Sequence, residues 1–298
     1  MAAIVSFASG KGGVGKSTTV SNLGLLLARG GRSVVMLDLD VGGADLHILF
    51  GEMSPARTLS DFLEHRVESL EELAQPLPVC AGLRLIAGTG ETLRTANPTH
   101  QAKLRLERHV RALAADVVLI DIGAGTGSHA LDFFLWADVQ VVVSTPDPTA
   151  VLDLYRFVKL AAARRVLLAI GAREELGEAV AEEDPGSIAE LLARARAAGP
   201  QMEARAAEAL RRFRPNLLFN NAGERDRGSA ARLIEVIQRF LGAPADILGT
   251  VPEDPAVARS VRRFLPVVES DPDAPAAVAL TRVAEKLAQT LAALPPQA

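Results

Sequence analysis

The chain is short of several residue types, and each shortage excludes something. It has one cysteine, Cys80. A lone thiol excludes an internal disulfide and any four-thiolate zinc or iron–sulfur site built within one chain; Cys80 reads as a small buried residue. Aromatic residues make up 4%, with one tryptophan, Trp136, and one tyrosine, Tyr155. Both read as packing residues rather than base-stacking platforms. The histidines, His47, His65, His100, His109 and His129, show no metal-ligand spacing and are assigned no role. Positive charge is not in excess: 32 basic and 36 acidic residues give a formal charge of −4. That argues against coating nucleic acid by bulk charge, while leaving room for a local basic patch. No apolar run approaches the ~18 residues of a membrane-spanning helix. The first residues, Met1 to Phe7, run into a Gly/Lys loop with no secretory apolar segment, so a cytoplasmic protein is expected. Lysine is scarce too, five against 27 arginines, yet Lys11 and Lys16 share one loop.

The 298 residues suit one large α/β domain or two ordinary ones. Apolar runs at Ile4–Ala8, Ser33–Leu37, Leu83–Ala87, Val117–Ile120, Val139–Ser144, Asn216–Asn220 and Ile247–Val251 read as strands, with Pro266–Val268 a short eighth. Helical patterns fall between them: Ser17–Arg29, Pro98–Leu113, Pro148 to about Asp184, a segment bracketed by Pro185-Gly186 and Gly199-Pro200, Gln201–Arg214, Gly228–Leu241 and Pro275–Leu294. Arg164–Ile170 has some β-branched character, but its flanks read helical and helix is expected. Strands alternating with helices predict an α/β fold, a doubly wound, mostly parallel sheet of seven or eight strands flanked by helices. No repeat or linker divides the chain. One domain over 1–298 is expected, with a helical insertion at 164–214 long enough to project as a hairpin.

The strongest motif is Gly10-Lys11-Gly12-Gly13-Val14-Gly15-Lys16-Ser17-Thr18, which satisfies the P-loop pattern G-x-x-x-x-G-K-[ST] between a strand and a helix. Glycines let successive N–H groups line one concavity, and the following helix adds its positive end. In such a loop Lys16 neutralises β/γ-phosphate charge and the Ser17 hydroxyl ligates Mg²⁺. Lys11 is surplus to that requirement. It is poorly placed for the phosphates of its own loop, and reaching into a partner's nucleotide is the alternative. Asp38, Asp40 and Asp121 close two strands, where doubly wound sheets bind ligands. Asp121 follows Val117-Val-Leu-Ile in a Walker B arrangement. Asp38 and Asp40 are two apart and share a face in extended backbone, so one can reach the metal's water shell and the other the attacking water.

These residues resemble the MinD/ParA ATPases, whose deviant Walker A motif carries a signature lysine at the place of Lys11. Asp38-Leu-Asp40-Val-Gly-Gly-Ala-Asp-Leu is similar to the family's first switch, Asp121-Ile-Gly-Ala-Gly to its Walker B and second switch, and Gly249-Thr-Val-Pro252-Glu253-Asp254 to the segment that closes over adenine. The switch segments resemble the MinD/FlhG branch most. The resemblance runs in order from residue 1 to about 285, interrupted by the insertion. It implies a P-loop NTPase fold, slow partner-stimulated ATP hydrolysis with Mg²⁺, and a homodimer bridged by ATP. It implies that Lys11 reaches the partner's phosphates and that Asp40 positions the attacking water. Asp38, Asp121 and Ser17 then serve Mg²⁺, and Thr18 the α-phosphate. Asn220 or Asn221, with Pro252, Glu253 and Asp254, frames adenine. The function so implied is an ATP-driven switch that positions a cellular structure: division site, flagellum, chromosome or other polar cargo.

Departures from the family narrow this. Iron–sulfur carriers of the family use paired cysteines, and Cys80 is alone. The last helix, around Ala284–Leu294, lacks the cationic face and bulky anchors of a membrane-targeting helix, so packing on the domain is expected. Arginines at 205, 211, 212 and 214, and at 259, 262 and 263, form basic clusters interleaved with acids. They read first as solvated helix faces and second as a nonspecific DNA surface. Peripheral placement at the inner membrane face or on the nucleoid both stay open. The alternative function is a P-loop ATP-dependent ligase or synthetase acting on a small metabolite, for which no second substrate-binding constellation is visible.

Overall fold

The computed structural model describes residues 1–40, 43–88, 99–171, 188–223 and 244–295, with isolated positions between 224 and 243. Strand β1 (Ala3–Ala8) leads through the Gly-rich loop into helix α1 (Lys16–Arg29) and strand β2 (Val34–Leu39). The short helix α2 (Leu59–Leu63) and strands β3 (Gln75–Pro76) and β4 (Leu83–Ile86) follow, then α3 (His100–Arg111), β5 (Val117–Ile122), α4 (Ser128–Leu135) and β6 (Val139–Ser144). Helices α5 (Pro148–Ile170), α6 (Ile188–Ala197) and α7 (Pro200–Arg212) precede β7 (Asn216–Phe219) and β8 (Asp246–Thr250). Helices α8 (Pro255–Arg262), α9 (Val267–Ser270) and α10 (Pro275–Ala292) complete the described chain.

The strands form one eight-stranded sheet in the order β3-β4-β2-β5-β1-β6-β7-β8. Its pairings are parallel except for β3 against β4. The expected doubly wound architecture is present, and its cause is visible in the strands. Alternate side chains point to opposite faces of a sheet. Val35, Leu37, Val118 and Ile120 enter one core with α4 to α7, while Val34, Met36, Val117 and Leu119 enter a second core with α1 and α10. Apolar residues at every position of β2 and β5 up to the aspartates are therefore required, since neither face sees water.

Several expectations are corrected. Pro266–Val268 is not a strand: Val267 starts helix α9, and the Val268 N–H donates to Asn22 Oδ1 of α1 at 3.0 Å instead of joining a ladder. The eighth strand is β3, two polar-edge residues with no apolar run to betray them. β2 and β5 each run past their aspartates, to Leu39 and Ile122. Cys80 is only half-buried, in the turn before β4. Arg164–Ile170 is helical, as the last turns of the 23-residue α5. The helix expected over Gly228–Leu241 falls largely outside the described residues, as do residue 98 and the stretch 172–187. Helix α10 buries Leu280, Val283, Leu287 and Leu291 in the core it shares with α1, as the last helix was expected to pack. No helix among the described residues is long and apolar enough to cross a membrane.

Helices α6 and α7 do not project. Ile188, Leu191, Ala206, Leu210 and Phe213 join the same core as α5 and the sheet. Phe213 is fully buried, and its ring stands edge-on to Phe134 of α4 at 6.5 Å between centroids. Removing it opens a cavity beneath the sheet rather than trimming an appendage. Phe213→Ala should lower unfolding stability by about 3–5 kcal/mol. Urea denaturation followed by circular dichroism checks this, and a change under about 0.5 kcal/mol would mean that α7 is peripheral to the cooperative unit.

Candidate nucleotide site

The loop between β1 and α1 wraps a cavity of about 310 Å³ lined by Ser9, the residues from Gly12 to Thr18, Asp40, Asp45 and Ala124. Two glycines hold backbone angles that side chains rarely adopt, Gly13 at φ 78° and Gly15 at φ 84°. Gly15 sits at the start of α1, so the first N–H groups of that helix open toward the cavity. Gly10 is fixed for another reason. A Cβ there would lie 2.2 Å from the carbonyl oxygen of Asp153, in backbone of α5 that cannot swing aside.

Behind the loop lies a buried charge cluster. The β2–β5 register sets Asp38 directly beside Asp121, and both are fully buried. Lys16 is also buried, and its ammonium donates to Asp121 Oδ1 and lies 3.9 Å from Asp40 Oδ2. The Ser17 side chain neighbours the Asp121 carboxylate and favours its charged form. Asp38 accepts from the N–H groups of Asp40, at 3.0 Å, and Leu46, at 3.1 Å. Burial, and then the neighbouring Asp121 charge, push the Asp38 carboxyl up to about 8. Burial pushes Asp121 up too, with Lys16 and Ser17 pulling the other way. Asp40 is packed between glycines: a Cβ on Gly123 would come within 2.9 Å of its Oδ1.

The donor set fits a magnesium ion held together with phosphate. Asp121 Oδ2 is buried with no hydrogen-bond partner, beside the Ser17 hydroxyl. The described residues contain no group of three or more His, Cys, Asp or Glu side chains around a common point. A protein-only cage is therefore missing, and Mg²⁺ characteristically takes one or two protein oxygens plus phosphates and water. Lys11 stands apart. It is exposed, and its ammonium donates to Thr149 Oγ1 at 3.3 Å instead of entering the cavity.

The residues expected at adenine are not in the phosphate cavity. Asn220 donates from Nδ2 to the Val14 carbonyl at 2.9 Å, which fastens the loop to the end of β7, whereas Asn221 is exposed in a left-handed turn at φ 52°. Pro252 lines a separate cavity of about 410 Å³ with Thr250, Ala222, Gly223 and Arg282. Glu253 is exposed. Asp254 caps two helices, accepting from Ala256 N of α8 at 2.8 Å and from Ala276 N of α10 at 3.1 Å. That double cap was not legible, because its second helix begins 21 residues later in the sequence. Asp45 and Ser9 were also missed as cavity-lining residues; Asp45 lies within the switch-like stretch, which was the available signal.

Two glycine substitutions separate structure from binding. Gly10→Ala should destabilise by about 1–3 kcal/mol through overpacking. Gly12, where an added methyl group would meet no atom within 4 Å, should tolerate alanine in the nucleotide-free protein. Melting temperatures check both, and an equal loss at Gly12 would mean that the loop is packed more tightly than its geometry indicates.

Comparison with known proteins agrees with this geometry. The profile of the ParA family, described as "NUBPL iron-transfer P-loop NTPase", matches residues 1–171. The chain is 27% identical over 290 residues to the antiactivator FleN of Pseudomonas aeruginosa, covering 95% of this chain and 85% of that protein. It is 31% identical over 158 residues to the flagellum site-determining protein YlxH of Helicobacter pylori, covering 52% of each. The septum site-determining protein MinD from Pyrococcus horikoshii, solved with Mg-ADP, superposes with a TM-score of 0.66 at 23% identity, over 99% of this chain and 100% of that one. A buried P-loop lysine between Walker-type aspartates, on this sheet and in this company, makes the chain a member of the ParA family of P-loop ATPases, homologous to the MinD-type site-determining proteins.

Proposed function

We propose that the protein is an ATP-driven dimeric switch that positions a cellular structure, with hydrolysis timed by a partner. One observation carries the reading: Lys16, Ser17 and Asp40 line the phosphate cavity, with Asp121 paired to Lys16 behind it, while Lys11 stays outside it on Thr149. Lys16 now neutralises Asp121, and phosphates entering the cavity compete for the same ammonium. Magnesium, when bound, supplies charge neutralisation at the β- and γ-oxygens. Asp121 and Ser17 would hold it, with Asp38 behind them. Asp40 orients the attacking water. Thr18 faces the α-phosphate, and Asn220, Asn221 and the 252–254 turn frame the base. An exposed lysine directed away from its own cavity is available to a second copy of the chain, which would make the site complete only across a dimer.

The relatives support a positioning role over the ligase alternative, since their names record septum and flagellum site determination. Their cargo is carried to this chain as a class only. The dimer's docking surface is a protein, a membrane or the nucleoid, and the packed α10 weighs against insertion of that helix into lipid.

Lys11→Ala should keep nucleotide binding and lose the ATP-dependent dimer, read by light scattering after size exclusion with ATP against ADP. A dimer that persists with normal turnover removes the trans-lysine role. Asp40→Ala should lower turnover by about 10²-fold or more, the scale of lost proton-transfer or water-positioning assistance, while the ATP-bound dimer still forms. Unchanged turnover would assign the water to another residue.

A further inference from the structure

Away from the nucleotide site, α7 lies along the C-terminal half of α5 and leaves an open groove of about 640 Å³. Its floor is apolar, formed by Leu135 of α4, Leu168 and Ala169 of α5, and Ala204 and Ala209 of α7. Leu168 is 43% exposed there. Arg165, Arg205 and Arg212 stand around this floor. A second cavity of about 500 Å³ shares Glu208 and Arg212 with it and adds Arg211 and Arg214.

Charge in the groove is unbalanced. Among the described residues Glu208 is its one acidic lining residue, and both Arg211 and Arg212 pair with it. Arg165, Arg205 and Arg214 have no carboxylate partner among the described residues. Burial and the nearby Arg212 push the Arg165 guanidinium below its usual range. Among the described residues five arginines thus share one glutamate, on a chain whose formal charge is −4. An arrangement of this kind is relieved by a ligand that brings carboxylates or phosphates.

The floor decides which. A nucleic acid backbone needs cations at phosphate spacing and gains nothing from leucine and alanine. A helix with an apolar stripe and acidic flanks uses both features, laying the stripe on the floor and the carboxylates against the guanidinium forks. We propose that the α5–α7 groove docks an acidic amphipathic helix of a partner protein. Docking here is independent of nucleotide chemistry, since none of the groove residues lines the phosphate cavity.

The test is a fluorescence-anisotropy titration of the full chain, without nucleotide, with a labelled peptide of ~16 residues in which leucines recur three and four apart among glutamates. A peptide of the same composition with that spacing scrambled serves as comparator. The amphipathic peptide should bind, and binding should weaken with salt. Affinity should fall about tenfold or more, at least 1.4 kcal/mol, for Arg165→Glu/Arg212→Glu, for Leu168→Asp and for the scrambled peptide. The variants should keep the wild-type melting temperature and nucleotide binding. Absence of binding overturns the proposal, and so does equal binding of both peptides, which is plain charge attraction. Binding of duplex DNA or phosphatidylglycerol vesicles that is lost in the arginine variant, with peptide binding unchanged, replaces it with a nucleic acid or lipid surface. Peptide binding that appears only when Glu174, Glu175 and Glu178 are changed to glutamine makes the chain's own acidic stretch the occupant, and the proposal fails.

Discussion

Two carboxylates are forced together inside the sheet. Asp38 and Asp121 are register partners on neighbouring parallel strands, and neither reaches water. Burial raises both groups, with the Asp121 charge adding to the rise at Asp38 and the Asp40 charge adding to it at Asp121. The fold answers with a buried lysine. Lys16 opens α1 and sits against Asp121, with Asp40 on its outer side. Asp38 is answered differently, by two backbone N–H groups from the segment that follows it. The cluster is thereby held with one carboxylate oxygen, Asp121 Oδ2, left without a partner. A site with an unspent buried acceptor is poised for a cation, and one whose lysine has only carboxylates to pair with is poised for phosphate.

Everything around the cluster fixes its position. β1, β2 and β5 are adjacent in the sheet, so the loop after β1 and the aspartates of β2 and β5 meet at one edge. The loop is clamped from several sides. Asp153 backbone crowds Gly10, Asn220 holds the Val14 carbonyl, and the Ser9 carbonyl accepts from Gly125 N in the segment after Asp121. The last contact links the phosphate loop to the second switch-like stretch through one hydrogen bond. On the far side of the sheet, Lys103 of α3 and Arg164 of α5 both pair with Asp132 of α4. The helix that follows Asp121 is thus tied to the helix whose next residue, Arg165, enters the arginine groove.

The resemblance in sequence and the geometry in space speak to different parts of function. Chemistry at the phosphate end rests on residue types that admit few substitutes: glycines for backbone angles, a lysine, a hydroxyl and carboxylates. What the switch acts on rests on surfaces, where many residue combinations serve. The α5–α7 groove belongs to the second kind.

By itself the sequence determined the parallel sheet, the nucleotide loop and the strand-end aspartates. Runs of Val, Ile and Leu can be buried on both faces only in a covered sheet, and the loop's glycines and Lys16 are adjacent in the chain. It did not determine how Asp38 meets Asp121, because register is a property of two strands 83 residues apart. Nor did it show Asn220 beneath the loop, Asp254 capping two helices, or α6 and α7 folded flat against α5. The edge strand β3 was invisible and Pro266–Val268 misleading, since short apolar stretches take strand or helix according to what they pack against. Those outcomes were decided by tertiary structure, where burying apolar surface and satisfying each buried polar group must be met at once by residues distant in sequence.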